Sequence, residues 1–557
     1  MTFDDVIKEL GEFGPYQRRL MALVLFPQIL FALQQMVPVF ILSEHSHRCR
    51  VNNENVTTNL SSPAIVQSVS SCDVTLYYND TNTTQTETCS SWTYNTDRLT
   101  SSPISDFGLV CKDKILRTHA SMAFLGGNLA GALVLGAVGD TFGRKPVACF
   151  SIFFLVFSSI ACTWSNNFYM YVIMRFLSGT GSNIAGIKII AIEMVGPSWR
   201  ALAGISTEVI FCVGEVILCG LAYFIRDWRC LQLVISAPGV ILLLYWFVLP
   251  ESTRWLLSRG KLEEANETLR KIAKMNKRQL PKDFDIKRTN EKKNVGIREI
   301  APLFRSRKHL IRWLINMFLW FVLATSYYGL TFHVGTLGGN VYLNFLIFAV
   351  VESAGAFVTL YLNNRFGRKL LNSVALLLTF LLSVLSMVAS LYVKDETTRR
   401  WILMGSATVG RMSVSGDFAN VFIFTSEMFP TSIRSFVVAT ANVSGMIGAT
   451  VAPYIADLGN LVDTRFETAL PYVIFGVLAL IAGLLSLALP ETLHKQLPED
   501  MKDVNVSVTK ASKRFTTIQP SDTIQPCDTI QPCDTIQPST NGTTATELRM
   551  VHFDSKG

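Results

Sequence analysis

Gly136-Ala137-Val138-Gly139-Asp140-Thr141-Phe142-Gly143-Arg144-Lys145 separates two long apolar runs, 125–138 and 147–164. A polar connection this short between runs of that length is a turn between two helices that enter lipid. Its glycines let backbones turn sharply and approach closely, and its one carboxylate can pair with a cation or a helix end. Tyr361-Leu362-Asn363-Asn364-Arg365-Phe366-Gly367-Arg368-Lys369 repeats the arrangement, again between apolar runs.

The two Gly-Arg-Lys triplets lie about 220 residues apart, and other features recur at a similar offset. Glu193-Met194-Val195-Gly196-Pro197-Ser198-Trp199-Arg200 matches Glu427-Met428-Phe429-Pro430-Thr431-Ser432-Ile433-Arg434 with the same Glu-to-Arg spacing. Arg175 with Gly179 is echoed by Arg411 with Gly416, and Pro250-Glu251-Ser252-Thr253 by Pro490-Glu491-Thr492-Leu493. Repetition in one order at nearly one offset marks a duplicated chain of two parallel halves.

With 557 residues, 49% hydrophobic, 17% charged, and a mean hydropathy of +0.33, the chain is too apolar for a soluble enzyme and reads as a polytopic membrane protein. Twelve apolar runs approach the ~20 residues needed to cross a bilayer. They fall near 20–41, 118–138, 147–165, 169–191, 202–224, 231–249, 311–331, 341–362, 370–392, 401–424, 435–456 and 469–489. The expected fold is an all-α bundle of two six-helix halves: a segment 1–19, a first span at 20–41, an outside domain at 42–117, the remaining first-half spans in 118–249, a linker at 250–310, the second half at 311–489 and a tail at 490–557.

The net charge of +8 is concentrated in the two clasp loops and in 251–312, whereas 42–110 holds only Arg48, Arg50 and Arg98 among Lys and Arg. Basic loops stay cytoplasmic, which places both termini inside and argues for topology rather than nucleic-acid binding. The outside domain carries sequons at Asn55, Asn59, Asn79 and Asn82 in a polar setting suited to glycans. It also holds Cys49, Cys72, Cys89 and Cys111, an even set in oxidising surroundings that predicts two disulfides with three connectivities. Residues 89–94 and 107–111 read as the closing strands of this domain, and the other cysteines as free thiols without metal spacing.

Val6, Ile7, Leu10 and Phe13 between charges predict a short amphipathic helix on the inner surface rather than a signal peptide. Residues 261–274 show helical charge spacing. Beyond 505, Thr-Ile-Gln-Pro recurs at Thr517, Thr523, Thr529 and Thr535, a composition that buries no core and predicts disorder; a tail-binding cytoplasmic protein is the functional alternative.

The Gly136 to Lys145 stretch, its copy at 365–369 and Pro250-Glu251-Ser252-Thr253-Arg254-Trp255-Leu256 resemble the signature set of the major facilitator superfamily. Gly11-Glu12-Phe13-Gly14-Pro15-Tyr16-Gln17-Arg18, the Cys-rich outside domain, Phe224-Ile225-Arg226-Asp227-Trp228-Arg229 and Glu427 to Arg434 are similar to its organic ion transporter family, whose members carry organic cations, anions and zwitterions such as carnitine. The resemblance covers residues 1 to about 495 and implies two halves rocking about one central site by alternating access.

Ionisable side chains at membrane depth are costly and mark candidate sites. Glu352 matches an acidic position of the cation and carnitine branches, and Arg411 a basic position found across the family. Lys188, Glu208, Glu215 and Asp417 complete the set, with a mutual pairing of Lys188 and Glu215, or of Arg411 and Asp417, as quieter readings. Tyr327 and Tyr328 match a family Tyr-Tyr-Gly pattern and could face a cation through their rings, as could Trp320, Phe332 and Phe345. Met446 stands where cation members place Asp and anion or carnitine members Arg, so the substrate's charge stays open: cation or zwitterion first, carboxylate anion second.

Asp140, Arg144, Glu193, Arg200, Glu251, Arg365, Arg368, Glu427 and Arg434 are assigned to a cytoplasmic gate that forms pairs between halves when the outside is open. No phosphate loop, metal cluster or activated nucleophile is present in the sequence, so no enzymatic chemistry and no cofactor are expected; a coupled ion is left open.

Overall fold

The computed structural model describes residues 3–43, 46–50, 64–78, 83–182, 185–279, 297–334, 339–430, 433–461 and 469–493. The four sequon asparagines, the linker stretch 280–296 and the repeat tail lie outside these residues, as does the side chain of Asp140.

Nine helical segments among the described residues are long and apolar enough to span a membrane. In chain order the helices are α1 (Phe3–Glu9), α2 (Pro15–Met36), α3 (Pro38–Ile41), α4 (Pro103–Phe107), α5 (Lys114–Phe142), α6 (Arg144–Cys162), α7 (Phe168–Gly181), α8 (Ala185–Met194), α9 (Arg200–Phe224), α10 (Trp228–Ser236) and α11 (Tyr245–Val248). The linker contributes α12 (Thr253–Ser258), α13 (Leu262–Met275) and α14 (Ile297–Arg305). The second half adds α15 (Arg307–His333), α16 (Val341–Phe366), α17 (Arg368–Tyr392), α18 (Glu396–Met428), α19 (Arg434–Asp457) and α20 (Leu470–Ser486). The runs expected at 169–191, 401–424 and 469–489 are not among the nine. They coincide with α7 and α8, with the 33-residue α18, and with the 17-residue α20. Polar groups explain the case of α18, which carries Arg411, Asp417 and Asn420 inward.

Proline governs two local features. Pro27 lies inside α2, and Pro38 begins α3 one residue after Val37 ends the first helix, so the first span is jointed where a backbone N–H is missing. Contacts across the halves run between α9 and α16 and between α5 and α19.

The Cys-rich segment after the first span holds a two-stranded sheet of β1 (His47–Cys49) with β5 (Trp92–Tyr94), and a three-stranded antiparallel sheet of β2 (Ala64–Val69), β3 (Asp73–Tyr78) and β4 (Thr83–Thr88). Of the three disulfide connectivities, Cys49–Cys89 and Cys72–Cys111 form. Residues 92–94 are a strand as expected, but 107–111 are not. Ser102 caps α4, its hydroxyl accepting the Ser105 N–H at 3.1 Å, and Gly108 ends that helix at φ 66°.

Helix α1 is amphipathic, yet its apolar side is buried in protein rather than laid on lipid. Val6, Ile7 and Leu10 are buried in one cluster with Leu256, Leu269 and Ile272 of α12 and α13. Asn276 secures the joint: its side-chain amide donates to the Leu10 carbonyl and to Gln17 Oε1, both at 2.9 Å, and its Oδ1 accepts the Tyr16 N–H at 3.0 Å. The amphipathic pattern is satisfied by either an apolar surface or a membrane, and here the linker supplies the surface.

Candidate functional site

Four helices deliver side chains to one buried centre. Tyr327 and Thr331 come from successive turns of α15, Glu352 from the middle of α16, Arg411 from α18 and Glu215 from α9. Thr331 is held by its own helix, its hydroxyl donating to the Tyr327 carbonyl at 2.6 Å.

The Arg411 guanidinium has no exposed side-chain surface. Its Nε donates to Glu352 Oε2 at 3.0 Å, and its Nη2 to Glu352 Oε2 at 2.5 Å, to Glu215 Oε1 at 3.0 Å and to the Tyr327 hydroxyl at 2.9 Å. Its Nη1 bonds the Thr331 hydroxyl. The Tyr327 hydroxyl donates to Glu352 Oε1 at 2.9 Å, and the guanidinium carbon stands 4.0 Å from the Tyr327 ring centre. Every donor nitrogen of Arg411 is used, whereas Glu215 Oε2 has no partner. Two carboxylates enclose one guanidinium, so the single cation balances only one of them when both are ionised.

The walls are aromatic. Tyr328 packs edge-on to Tyr327 at 5.1 Å and bonds Gln35 of the first half; Phe418 stands edge-on to Tyr327 at 5.7 Å and to Trp320 at 6.4 Å. Phe332 stacks on Tyr328, and Phe345 is buried against Phe40.

The quieter pairings are replaced by others. Lys188 faces Glu208 at 3.9 Å rather than Glu215, because Glu215 is committed to Arg411. Asp417 is bonded to Asn372 and Asn420, not to Arg411. Met446 is half-buried on α19. Its backbone carbonyl accepts the Thr450 hydroxyl at 2.8 Å. Sequence reading missed Thr331 and placed Cys212 only among the free thiols. The Cys212 thiol lies one turn before Glu215, and its sulfur and the Glu215 and Glu352 carboxylates lie within 4.8 Å of one another. Such a trio resembles a metal-ligand set, but Arg411 already occupies those carboxylates.

The first-half counterpart of Arg411 is not equivalent. Arg175 is fully buried, donates to the Gln34 carbonyl at 3.1 Å and lies 4.8 Å from the Phe124 ring, but its Nε and Nη2 are without partners.

At one end of the bundle the clasps have a common construction. Gly143 and Gly367 adopt φ of 113° and 94°, and a Cβ on either would come within 2.6 Å of a glutamate oxygen. Glu251 accepts the N–H groups of Arg144 at 2.9 Å and Lys145 at 3.2 Å, capping α6. Glu491 does the same for α17 with Arg368 at 2.9 Å and Lys369 at 3.1 Å. Glu491 was legible only as part of the repeat. Glu193 accepts the Ser252 hydroxyl, and Glu427 accepts from Thr492 at 2.7 Å and pairs with Arg368 at 3.1 Å. Arg365 contacts Tyr361 at 3.3 Å; Arg200 and Arg434 begin α9 and α19. Each of these described bonds lies within one half.

On the opposite side the halves are bonded to each other. Arg117 of α5 pairs with Asp457 of α19 at 3.2 Å, Thr118 donates to the same carboxylate at 2.5 Å, and His119 packs beside Tyr454 at 5.7 Å.

Membrane-spanning helices in related halves, a polar centre shared by both and an ion pair joining the halves at one end are the build of a secondary membrane transporter. The model of the sugar (and other) transporter family matches residues 62–502. An organic cation transporter protein of Drosophila melanogaster is 34% identical, covering 90% of this chain and 94% of the relative. Solute carrier family 22 member 3 of Rattus norvegicus is 32% identical, at 90% and 95%, and organic anion transporter 3 of Sus scrofa is 31% identical, at 92% and 95%. A D-xylose-proton symporter structure superposes with a TM-score of 0.58 at 15% identity, covering 86% of this chain and 99% of that one, which bears on the fold alone. The chain belongs to the sugar (and other) transporter family of the major facilitator superfamily, among the solute carrier family 22 proteins.

Proposed function

We propose that this transporter moves small organic cations and carnitine-like zwitterions across the plasma membrane by alternating access, with both termini cytoplasmic. The surplus carboxylate at the centre carries the reading: Glu215 and Glu352 face a single guanidinium, and Glu215 keeps one oxygen without a partner. A bound cation supplies the missing charge, and Tyr327, Tyr328 and Phe418 offer ring faces to it. The name of the fly organic cation transporter supports this class, and that of organic anion transporter 3 the second reading below.

The clasp residues Asp140, Arg144, Arg200, Glu193, Glu251, Arg365, Arg368, Glu427 and Arg434 act as the cytoplasmic gate. Glu251, Glu193, Arg368 and Glu427 bond within their own half while Arg117 and Asp457 hold the outside, and the gate pairs across the halves in the opposite state. Lys188 and Glu208 form a looser charge pair beside the pathway.

An organic anion is the second reading, favoured by the two partnerless donors of buried Arg175. Uptake of a labelled quaternary ammonium, carnitine and an aromatic carboxylate by cells expressing the chain separates the two. Cation uptake that is lost in Glu352→Gln supports the first reading, and carboxylate uptake that survives Glu352→Gln but not Arg175→Gln supports the second.

A further inference from the structure

A cavity of about 330 Å³ opens at the seam of the two halves, at the end of the bundle opposite the clasps. Asp97 and Arg98 of the Cys-rich segment line it, with Tyr223 on the last turn of α9, Arg226 just beyond that helix, and Asn340 and Tyr342 at the start of α16. Its walls are held in place. The Arg226 carbonyl accepts the Thr100 N–H at 2.9 Å and the Thr100 hydroxyl at 3.2 Å, which ties the Cys-rich segment to the end of α9. Tyr342 stands edge-on to Tyr223 at 5.6 Å and stacks on Phe40 at 5.5 Å. Tyr342 precedes Glu352 by ten residues, roughly 15 Å along α16, so the cavity is separate from the central cluster.

The lining is rich in donors that the protein leaves unused. Arg98 Nη2 donates to the Gly339 carbonyl at 3.3 Å and Arg226 Nη1 to the Asp97 backbone carbonyl at 3.5 Å, both long contacts, and among the described residues neither guanidinium has an ion-pair partner. Asn340 spends its Oδ1 on capping α16, accepting the N–H groups of Tyr342 at 3.0 Å and Leu343 at 3.4 Å, so its amide nitrogen remains as a donor. Two guanidiniums against the Asp97 carboxylate leave the lining with one surplus positive charge. Such a set calls for a single anionic acceptor, and the guanidinium fork matches a carboxylate with two parallel N–H···O bonds. The volume lies at the low end of the ~300–1,000 Å³ of small-molecule sites, more than one chloride needs, and the two phenol rings offer apolar contact to a planar group. We propose that this cavity binds a small planar organic monocarboxylate between Arg98 and Arg226, at a site distinct from the transport centre.

The inference does not depend on which substrate is carried, and its test needs no transport. Thermal unfolding of the purified full-length chain is followed at neutral pH as sodium benzoate replaces sodium chloride at constant ionic strength, with neutral benzamide as the isosteric control. The expected result is a saturable rise of about 1 °C or more for benzoate and none for benzamide. Arg98→Gln and Arg226→Gln, both at exposed positions, should each raise the half-saturating benzoate concentration about tenfold, the effect of one lost charge-assisted contact. Either variant decides the matter if the other fails to fold. Indifference to benzoate, or an equal response to benzamide, overturns the site. A benzoate response whose half-saturation is unchanged in both variants also overturns it and places the anion at the centre instead.

Discussion

Arg411 of the second half and Glu215 of the first are joined at 3.0 Å with 0% and 1% of their side chains exposed. The pair therefore ties the halves together at the level of the membrane, where the exchange of one partner for another is energetically large. Removing Arg411 alone leaves two buried carboxylates uncompensated, so Arg411→Met should cost about 3–5 kcal/mol of stability. Combining it with Glu215→Gln and Glu352→Gln should recover most of that loss. Unfolding of the purified variants checks this, and a triple variant no more stable than the single one contradicts the charge account.

At saturating protein expression, Glu215→Gln should weaken cation uptake about tenfold, the effect of one lost charge-assisted contact near 1.4 kcal/mol. The effect should appear in half-saturation more than in maximal rate. Equal uptake in the variant and the parent would show that the surplus charge does not face the substrate.

Arg117 and Asp457 join the halves at the end opposite the clasps, with Thr118 on the same carboxylate. Arg117→Ala and Asp457→Ala should each slow the transport cycle, and the exchange Arg117→Asp with Asp457→Arg should restore part of the rate, by about 1 kcal/mol of coupling for a partly exposed pair. Initial uptake rates in the three variants decide it; an exchange no better than either single variant would mean that the pair is incidental.

Burial raises the Glu491 carboxyl, but the backbone N–H groups of Leu493, Arg368, Thr492 and Lys369 outweigh it and hold the group below the ordinary carboxylate range. A lowered pKa in the folded chain gives stability that is present above the unfolded value near about 4.3 and is lost as pH falls through the folded one. Glu491→Gln should therefore be less stable than the parent at neutral pH, by about 1 kcal/mol for a lost helix cap, and the difference should shrink as the medium is acidified below pH ~4. Unfolding measured between pH 3 and 7 reads both the size and the direction.

The sequons at Asn55, Asn59, Asn79 and Asn82 should carry glycans if the domain at 42–117 faces outside. Glycosidase should sharpen and speed the band on a gel, and the four Asn→Gln substitutions together should abolish that response. An unchanged band in the parent would reverse the topology.

Periodicity, duplication and charge asymmetry were readable in the linear chain, because lipid imposes length and polarity on every span and a repeat copies its motifs in order. Glu352, Arg411 and Glu215 stood out for the same reason: few acids and bases lie at that depth. Folding alone decided their partners. Glu215 faces Arg411 and not Lys188, Asp417 meets two asparagines, Glu251 and Glu491 cap helices that begin about a hundred residues earlier, and α1 rests on the linker instead of lipid. Sequence determines which groups must be neutralised or buried; only the packing of distant helices determines which group neutralises which, since a charge or an apolar face accepts any complementary neighbour that the fold brings within reach.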